Sequence, residues 1–179
     1  RCLACTGTLE IRRGAGILRG SAPGPWRWNH EDWRKAMFAL AEQLRQDTLP
    51  IGDFPLCSLL LMNDAHYPWF ILVPRREDVS ELFQLDAEDQ TRLWAETTLL
   101  AEVLKDTFAA DKMNVATLGN MVSQLHMHVI VRRKGDAAWP APVWGKHPAQ
   151  PYSAEQVQTL RDKLKLVLDE DFRFAEATA

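Results

Sequence analysis

Two apolar runs set the first constraint on what this chain can fold into. Leu56 to Met62, interrupted only by the small Ser58, and Trp69 to Val73 are apolar runs, and they flank the turn-rich stretch Asn63-Asp64-Ala65-His66-Tyr67-Pro68. Runs of that length bounded by turn residues are strands. Two of them across so short a turn predict an antiparallel hairpin buried on at least one face. Pro74 and the cluster Arg75-Arg76-Glu77-Asp78 close the second run.

Elements to cover the hairpin are legible on both sides of it. Upstream, Phe38, Leu40, Ala41 and Leu44 suit a short helix that ends before Pro50. Downstream, Asp86 can cap a long helix in which Leu93, Thr97, Leu100, Ala101, Leu104 and Phe108 recur at helical spacing, ending within Asp106 to Asp111. Met113 to Leu118 and Leu125 to Arg132 read as two strands joined at Gly119-Asn120. After a Pro- and Trp-rich loop, Ser153 opens a last helix with Gln156 three residues on, a capping-box pattern; Val157, Leu160, Leu164 and Val167 line its buried face. Helix, hairpin, helix, two strands, helix is the order of an α+β domain with an antiparallel sheet and no internal repeat.

Composition narrows the classes. A chain of 179 residues that is 46% hydrophobic and 25% charged has the balance of a soluble globular protein, with room for one domain and a modest extension. No stretch approaches the roughly 20 apolar residues of a membrane-spanning helix, and no run near the N-terminus suits a secretory signal. Three cysteines are too few for a disulfide framework, which points to a reducing, cytoplasmic setting. Residues 1–36 carry seven Lys or Arg against three acids, whereas the rest carries 14 bases against 21 acids. A domain that acidic is no scaffold for long nucleic acids. Residues 1–36 also hold Gly and Pro at intervals that break regular structure, so they are expected to be a poorly ordered extension, with the natural start near Met37. The competing reading is an arm that docks on the domain through Trp26, Trp28 and Trp33.

The chemistry is concentrated in Asn120-Met121-Val122-Ser123-Gln124-Leu125-His126-Met127-His128-Val129-Ile130-Val131-Arg132. Strand side chains alternate, so Leu125, Met127, Val129 and Val131 share one face and Gln124, His126, His128 and Ile130 the other. On that second face two imidazoles stand about 7 Å apart. A neutral imidazole is a good nucleophile towards phosphorus, and a second one beside it can hold or deliver a proton. Two surface histidines, or half of a zinc site, are the other readings of an isolated His-x-His; no Asp, Glu or Cys nearby completes the latter, and no metal or cofactor is expected.

Gly119 to Arg132 resembles the signature of the histidine triad (HIT) superfamily, His-φ-His-φ-His-φ-φ after a Gly-Gln-x-Val lead. Over roughly residues 38–145, Met62-Asn63-Asp64 and Trp69-Phe70-Ile71-Leu72-Val73-Pro74 are similar to its ribose-binding turn and following strand. Asn114 and Gly119 are similar to its Asn…Gly pair, and Trp139-Pro140-Ala141-Pro142 to its Trp-Pro-Pro tail. The resemblance implies a HIT-like domain over residues 37–150, followed by a C-terminal helix and tail over 151–179. It further implies a homodimeric nucleotide hydrolase or nucleotidyl transferase, acting at the α-phosphate of a small nucleoside derivative. The nucleophile would fall on His126 and the phosphate-binding histidine on His128. The ribose contact would fall on Asn63, or on Asp64 if the register shifts, with Asn114, Gly119, Asn120 and Trp139 completing the substrate-binding set.

Three positions depart from the pattern: Gln124 replaces the first histidine, Asn120 and Met121 replace Gln and Ser or Thr, and Val131 replaces Pro. Gln124 is expected to hydrogen-bond the phosphate without carrying a proton. A nucleotide-binding protein with little catalysis, and a dimeric interaction module, are the rival functions. Cys2-x-x-Cys5 lies more than thirty residues too early for the family's N-terminal zinc motif, Cys57 reads as a core residue, and Trp139 and Trp144 could equally stack on a base or cover the sheet edge.

Overall fold

The computed structural model describes residues 38–176 apart from Asp169. The extension, Cys2, Cys5 and the three N-terminal tryptophans lie outside the described residues. Three helices and six strands follow one another as α1 (Glu42–Asp47), β1 (Thr48–Asp53), β2 (Cys57–Met62), β3 (Trp69–Pro74), α2 (Ala87–Thr107), β4 (Lys112–Ala116), β5 (Met127–Arg132), α3 (Ala154–Lys165) and β6 (Arg173–Phe174). All strand pairs are antiparallel, in the order β4-β5-β3-β2-β1-β6. This is the α+β, HIT-like fold class expected from the sequence.

The hairpin forms as expected, Leu61 pairing with Phe70 and Cys57 with Pro74. It sits mid-sheet and is covered on both sides, which is why its strands are apolar at every position but Ser58 rather than alternating. On one face Leu59, Leu61, Phe70, Leu72, Met127, Val129 and Val131 pack against Leu93, Leu100 and Leu104 of α2 and Leu160 and Leu164 of α3. On the other, Leu60, Trp69, Ile71, Val73 and Ile130 meet Leu44 of α1 and Ala138 and Val143 of the long loop before α3. Each fully buried Leu, Ile or Phe contributes about 1.5–3 kcal/mol.

Both long helices start where their caps predict. Asp86 accepts from the Asp89 amide at 2.8 Å, and Ser153 and Gln156 form the reciprocal capping box. Glu96 turns its buried carboxylate to the amides of Leu56 (2.7 Å) and Cys57 (3.0 Å), tying α2 to the start of β2. Burial, reinforced by Glu96, pushes the Cys57 thiol far up, so it behaves as core. Val167 is exposed rather than on the buried face of α3, because the helix ends at Lys165.

The structure corrects three elements. The first helix begins at Glu42, leaving residues 38–41 as a non-helical lead-in whose Phe38, Leu40 and Ala41 pack on the second core. β1 runs straight through Pro50 and Gly52, two residues that argue against a strand; the register shifts between them as at a bulge. Gly52 is required there, since a Cβ would lie 2.3 Å from the Arg173 carbonyl oxygen and 2.6 Å from the Phe172 ring, where β6 pairs. The third correction is that β5 starts at Met127, not Leu125.

Candidate active site

β5 places the site. His128 is its second residue, and its ring points to the face opposite α2, while Met127 and Val129 pack beneath α2. His126 precedes the strand but shares the cavity, its ring centroid 4.8 Å from that of His128 and nearly perpendicular to it. The separation is shorter than the two-residue repeat of a strand predicts, because the chain before Met127 is not strand. Both rings are almost wholly buried, at 5% and 3% exposure.

The hydrogen bonds of the two imidazoles fix their protons in opposite senses. His126 Nδ1 lies 2.7 Å from the backbone carbonyl of Gln124. A carbonyl only accepts, so Nδ1 donates and the neutral ring carries its lone pair on Nε2. The indole Nε1–H of Trp69 donates to His128 Nδ1 at 3.0 Å. That nitrogen is therefore the acceptor, and the proton of neutral His128 sits on Nε2, a buried donor with no hydrogen bond within the described residues. Burial, and then the neighbouring His126, push the His128 pKa down to about 3 against a smaller opposing pull from the Leu118 backbone. With both rings neutral, one thus presents a lone pair and the other an uncharged N–H.

Beside the rings lies a cavity of about 290 Å³, near the lower end of the roughly 300–1,000 Å³ typical of small-molecule sites. Leu44, Met62, Trp69, Ile71, Leu118, Met121, Val122 and Trp144 supply its apolar lining. Gln43, Asp47 and Asn120 are its polar residues besides the histidines, and no Lys or Arg lines it among the described residues. Trp144 stands edge-on to both His128 (5.2 Å between centroids) and Trp69 (5.5 Å). Its Nε1–H is a second buried donor with no acceptor among the described residues. Such orphans cost about 1–3 kcal/mol each. A larger hollow of about 390 Å³ lies against α3 and contains neither histidine of the pair.

Of the residues singled out in the sequence, the cavity collects His126, His128 and Asn120. The expectation that Gln124 faces the phosphate is corrected. Its carboxamide accepts from the Ala41 amide and donates to the Ala39 carbonyl, each at 2.9 Å, and it borders a separate hollow with Asp78, Val79 and Ser80. Strand alternation stops short of position 124, and the side chain is captured by the unpaired backbone leading into α1. Asn63 and Asp64 are likewise outside the cavity. Asn63 Oδ1 accepts from the Tyr152 amide at 2.9 Å; Asp64 Oδ1 accepts from the Gln150 amide and from the backbone and ring nitrogens of His66. Together they clip the loop before α3 to the hairpin turn. Asn114 accepts from Arg132, whose guanidinium is buried against Asp136 and lies over the Trp139 ring. Gly119 lies on the loop between the lining residues Leu118 and Asn120 without lining the cavity itself.

Sequence reasoning missed Trp69 as the partner of His128 and left Trp144 undecided. The signal for Trp69 was a bulky indole at the start of an aliphatic strand, which pays off only if its N–H finds an acceptor.

Comparison with known proteins identifies the family. The HIT domain family matches residues 43–135. A histidine triad protein from Sinorhizobium meliloti is 47% identical, covering 73% of this chain and 97% of that one with a TM-score of 0.72. One from Marinobacter aquaeolei is 52% identical over 74% and 96% of the two chains, and one from Bradyrhizobium japonicum 44% over 73% and 98%, both with the same TM-score. No match was found among curated proteins. With the family matched across half of its length and the fold superimposing on close relatives, the chain belongs to the histidine triad (HIT) family, one of nucleotide-binding hydrolases and transferases.

Proposed function

We propose that the protein is a nucleotide hydrolase or nucleotidyl transferase. It acts at the α-phosphate of a nucleoside derivative, of dinucleoside polyphosphate or phosphoramidate type, through a nucleotidyl-histidine intermediate. The observation that supports this reading above all others is the pairing, in one cavity, of a lone pair on His126 with a His128 N–H that has no acceptor among the described residues. His126 Nε2 attacks the α-phosphorus, forming the N–P bond as the bond to the leaving group breaks; the leaving group takes the electron pair and a proton from water. His128 Nε2–H donates to a non-bridging oxygen, where charge collects in the transition state. The Gln124 carbonyl steadies the imidazolium that develops on His126. Water then attacks phosphorus, giving its proton to the hydroxide left by the first step; the N–P bond breaks with its electron pair returning to Nε2, which releases the nucleoside monophosphate and restores neutral His126.

Asn120 is the remaining polar contact from the sequence-derived set, and the apolar walls suit a base. The reading carries a homodimer with it, and β4 is an edge strand with Val115 exposed on it and Leu118 exposed just beyond its end. No helix among the described residues is long and apolar enough to cross a membrane. A second reading, nucleotide binding with weak catalysis, is favoured by His128 itself, whose depressed pKa makes it a poor proton carrier.

Incubation with a fluorogenic adenosine phosphoramidate and with diadenosine tetraphosphate separates the readings. Turnover that falls on the order of 10⁴-fold or more in His126→Ala, with adenosine monophosphate still bound, is the expected outcome. Tight binding without turnover in the wild type selects the second reading, and comparable turnover in the two proteins removes His126 from the nucleophile role.

A further inference from the structure

We propose that the indole Nε1–H of Trp144 is a second hydrogen-bond donor to the phosphoryl group, acting beside His128 where the side chain at position 124 cannot. The inference rests on the functional reading above but on a separate observation. An indole nitrogen only donates. In Trp144 it is buried with no acceptor among the described residues, on a ring that lines the same cavity as both histidines. Contacts with His128 and Trp69, both close to perpendicular, hold the ring in place. Its centroid is 5.2 Å from that of His128, close enough for both rings to reach oxygens of one phosphoryl group.

The alternative is that Trp144 merely covers the sheet. A covering ring has no use for its N–H, and phenylalanine would do the same work without an orphaned donor. Gln124, the residue that follows the family pattern at the first triad position, has both ends of its amide bound to the backbone at residues 39 and 41. The neutral donors of the cavity are therefore His128 and Trp144, with Asn120 and Gln43 as the other amide-bearing lining residues. A phosphoryl oxygen would relieve both orphans at once. Transition-state charge, held by two fixed N–H groups rather than by a cation, is the arrangement of an oxyanion hole.

Trp144→Phe keeps the ring bulk and deletes the donor. The expected result is a fall in kcat of about 10²–10³-fold, with a smaller change in KM and with urea stability equal to or above that of the wild type. Trp144→His, which restores an N–H, should recover part of the loss. A covering role predicts the reverse: lower stability with kcat retained within about threefold, and that result overturns the proposal while leaving His126 in its role. Should Trp144→Phe not fold, the wild type alone decides. Titration with adenosine monophosphate should move one indole N–H resonance downfield and slow its exchange with solvent; indole resonances that all stay in place overturn the proposal. A wild type that neither binds adenosine monophosphate nor turns over either substrate overturns both this proposal and the functional reading beneath it.

Discussion

The two faces of the sheet are made from the same strands and follow different rules. On the α2 face Phe70, Leu72, Met127 and Val129 interlock with leucines, and the two buried carboxylates of α2 are both met, Glu96 by two backbone amides and Asp89 by the Arg76 guanidinium. On the opposite face stand all three buried side-chain atoms that lack a partner among the described residues: Tyr67 Oη, His128 Nε2 and Trp144 Nε1. Tyr67 and Trp144 belong to the apolar cluster of that face, and His128 projects into it from β5. A dry, satisfied face stabilises the fold; a face with donors left over is organised for something that brings acceptors. The contrast separates residues that should matter for folding from those that should matter for chemistry.

Substitution on the α2 face should strike stability and spare the chemistry. Phe70 is fully buried there, so Phe70→Ala should lower the unfolding free energy in urea by about 3–5 kcal/mol. The nucleotide affinity of the fraction that stays folded should be unchanged. A Phe70→Ala protein of native stability but altered affinity would blur the division between the faces.

The pH dependence of stability should come from the other face. His128 has its pKa lowered from 6.5 to about 3 in the folded protein. Between these values the unfolded chain binds a proton that the folded chain refuses, so the His128 contribution is fully present above about pH 6.5. It is lost as the pH falls towards 3, at up to about 1.4 kcal/mol per unit. Urea titrations across that range should show the slope in the wild type and a flatter profile in His128→Asn. Equal slopes would mean that the buried imidazole takes up its proton without cost.

The smallest effect tests a residue that sits between the two roles. Gln124→Ala removes the amide bonds to Ala39 and Ala41 yet leaves the backbone carbonyl that holds His126. It should cost about 1 kcal/mol of stability, with any loss in kcat below tenfold. A loss of 100-fold or more at unchanged stability would return Gln124 to direct contact with the phosphate.

What could be read from the sequence follows the same division. The hairpin, the long helix and its Asp86 cap, the Ser153 capping box and the alternation from Leu125 to Val131 were legible, because burial and capping leave periodic, local signals. β1 was not: Pro50 and Gly52 mask a strand that is held by pairing with β2 and by the close approach of Phe172 and Arg173. The two-residue β6 was too short to leave any pattern. At the site, spacing put His126 and His128 on one face, and only the resemblance to the histidine triad signature attached a role to each. The diversion of Gln124 to residues 39 and 41, of Asn63 and Asp64 to residues 150–152, and the bond from Trp69 to His128 all join positions 59 or more apart in sequence. Such contacts depend on the folded geometry and have no local signature.

The most direct test of the central claim is to catch the covalent intermediate. Wild-type protein mixed with an adenosine phosphoramidate, quenched within one turnover and examined by intact and peptide mass spectrometry, should carry one adenylyl group on His126. An unmodified chain throughout productive turnover, or the group on any residue other than His126, would contradict the account.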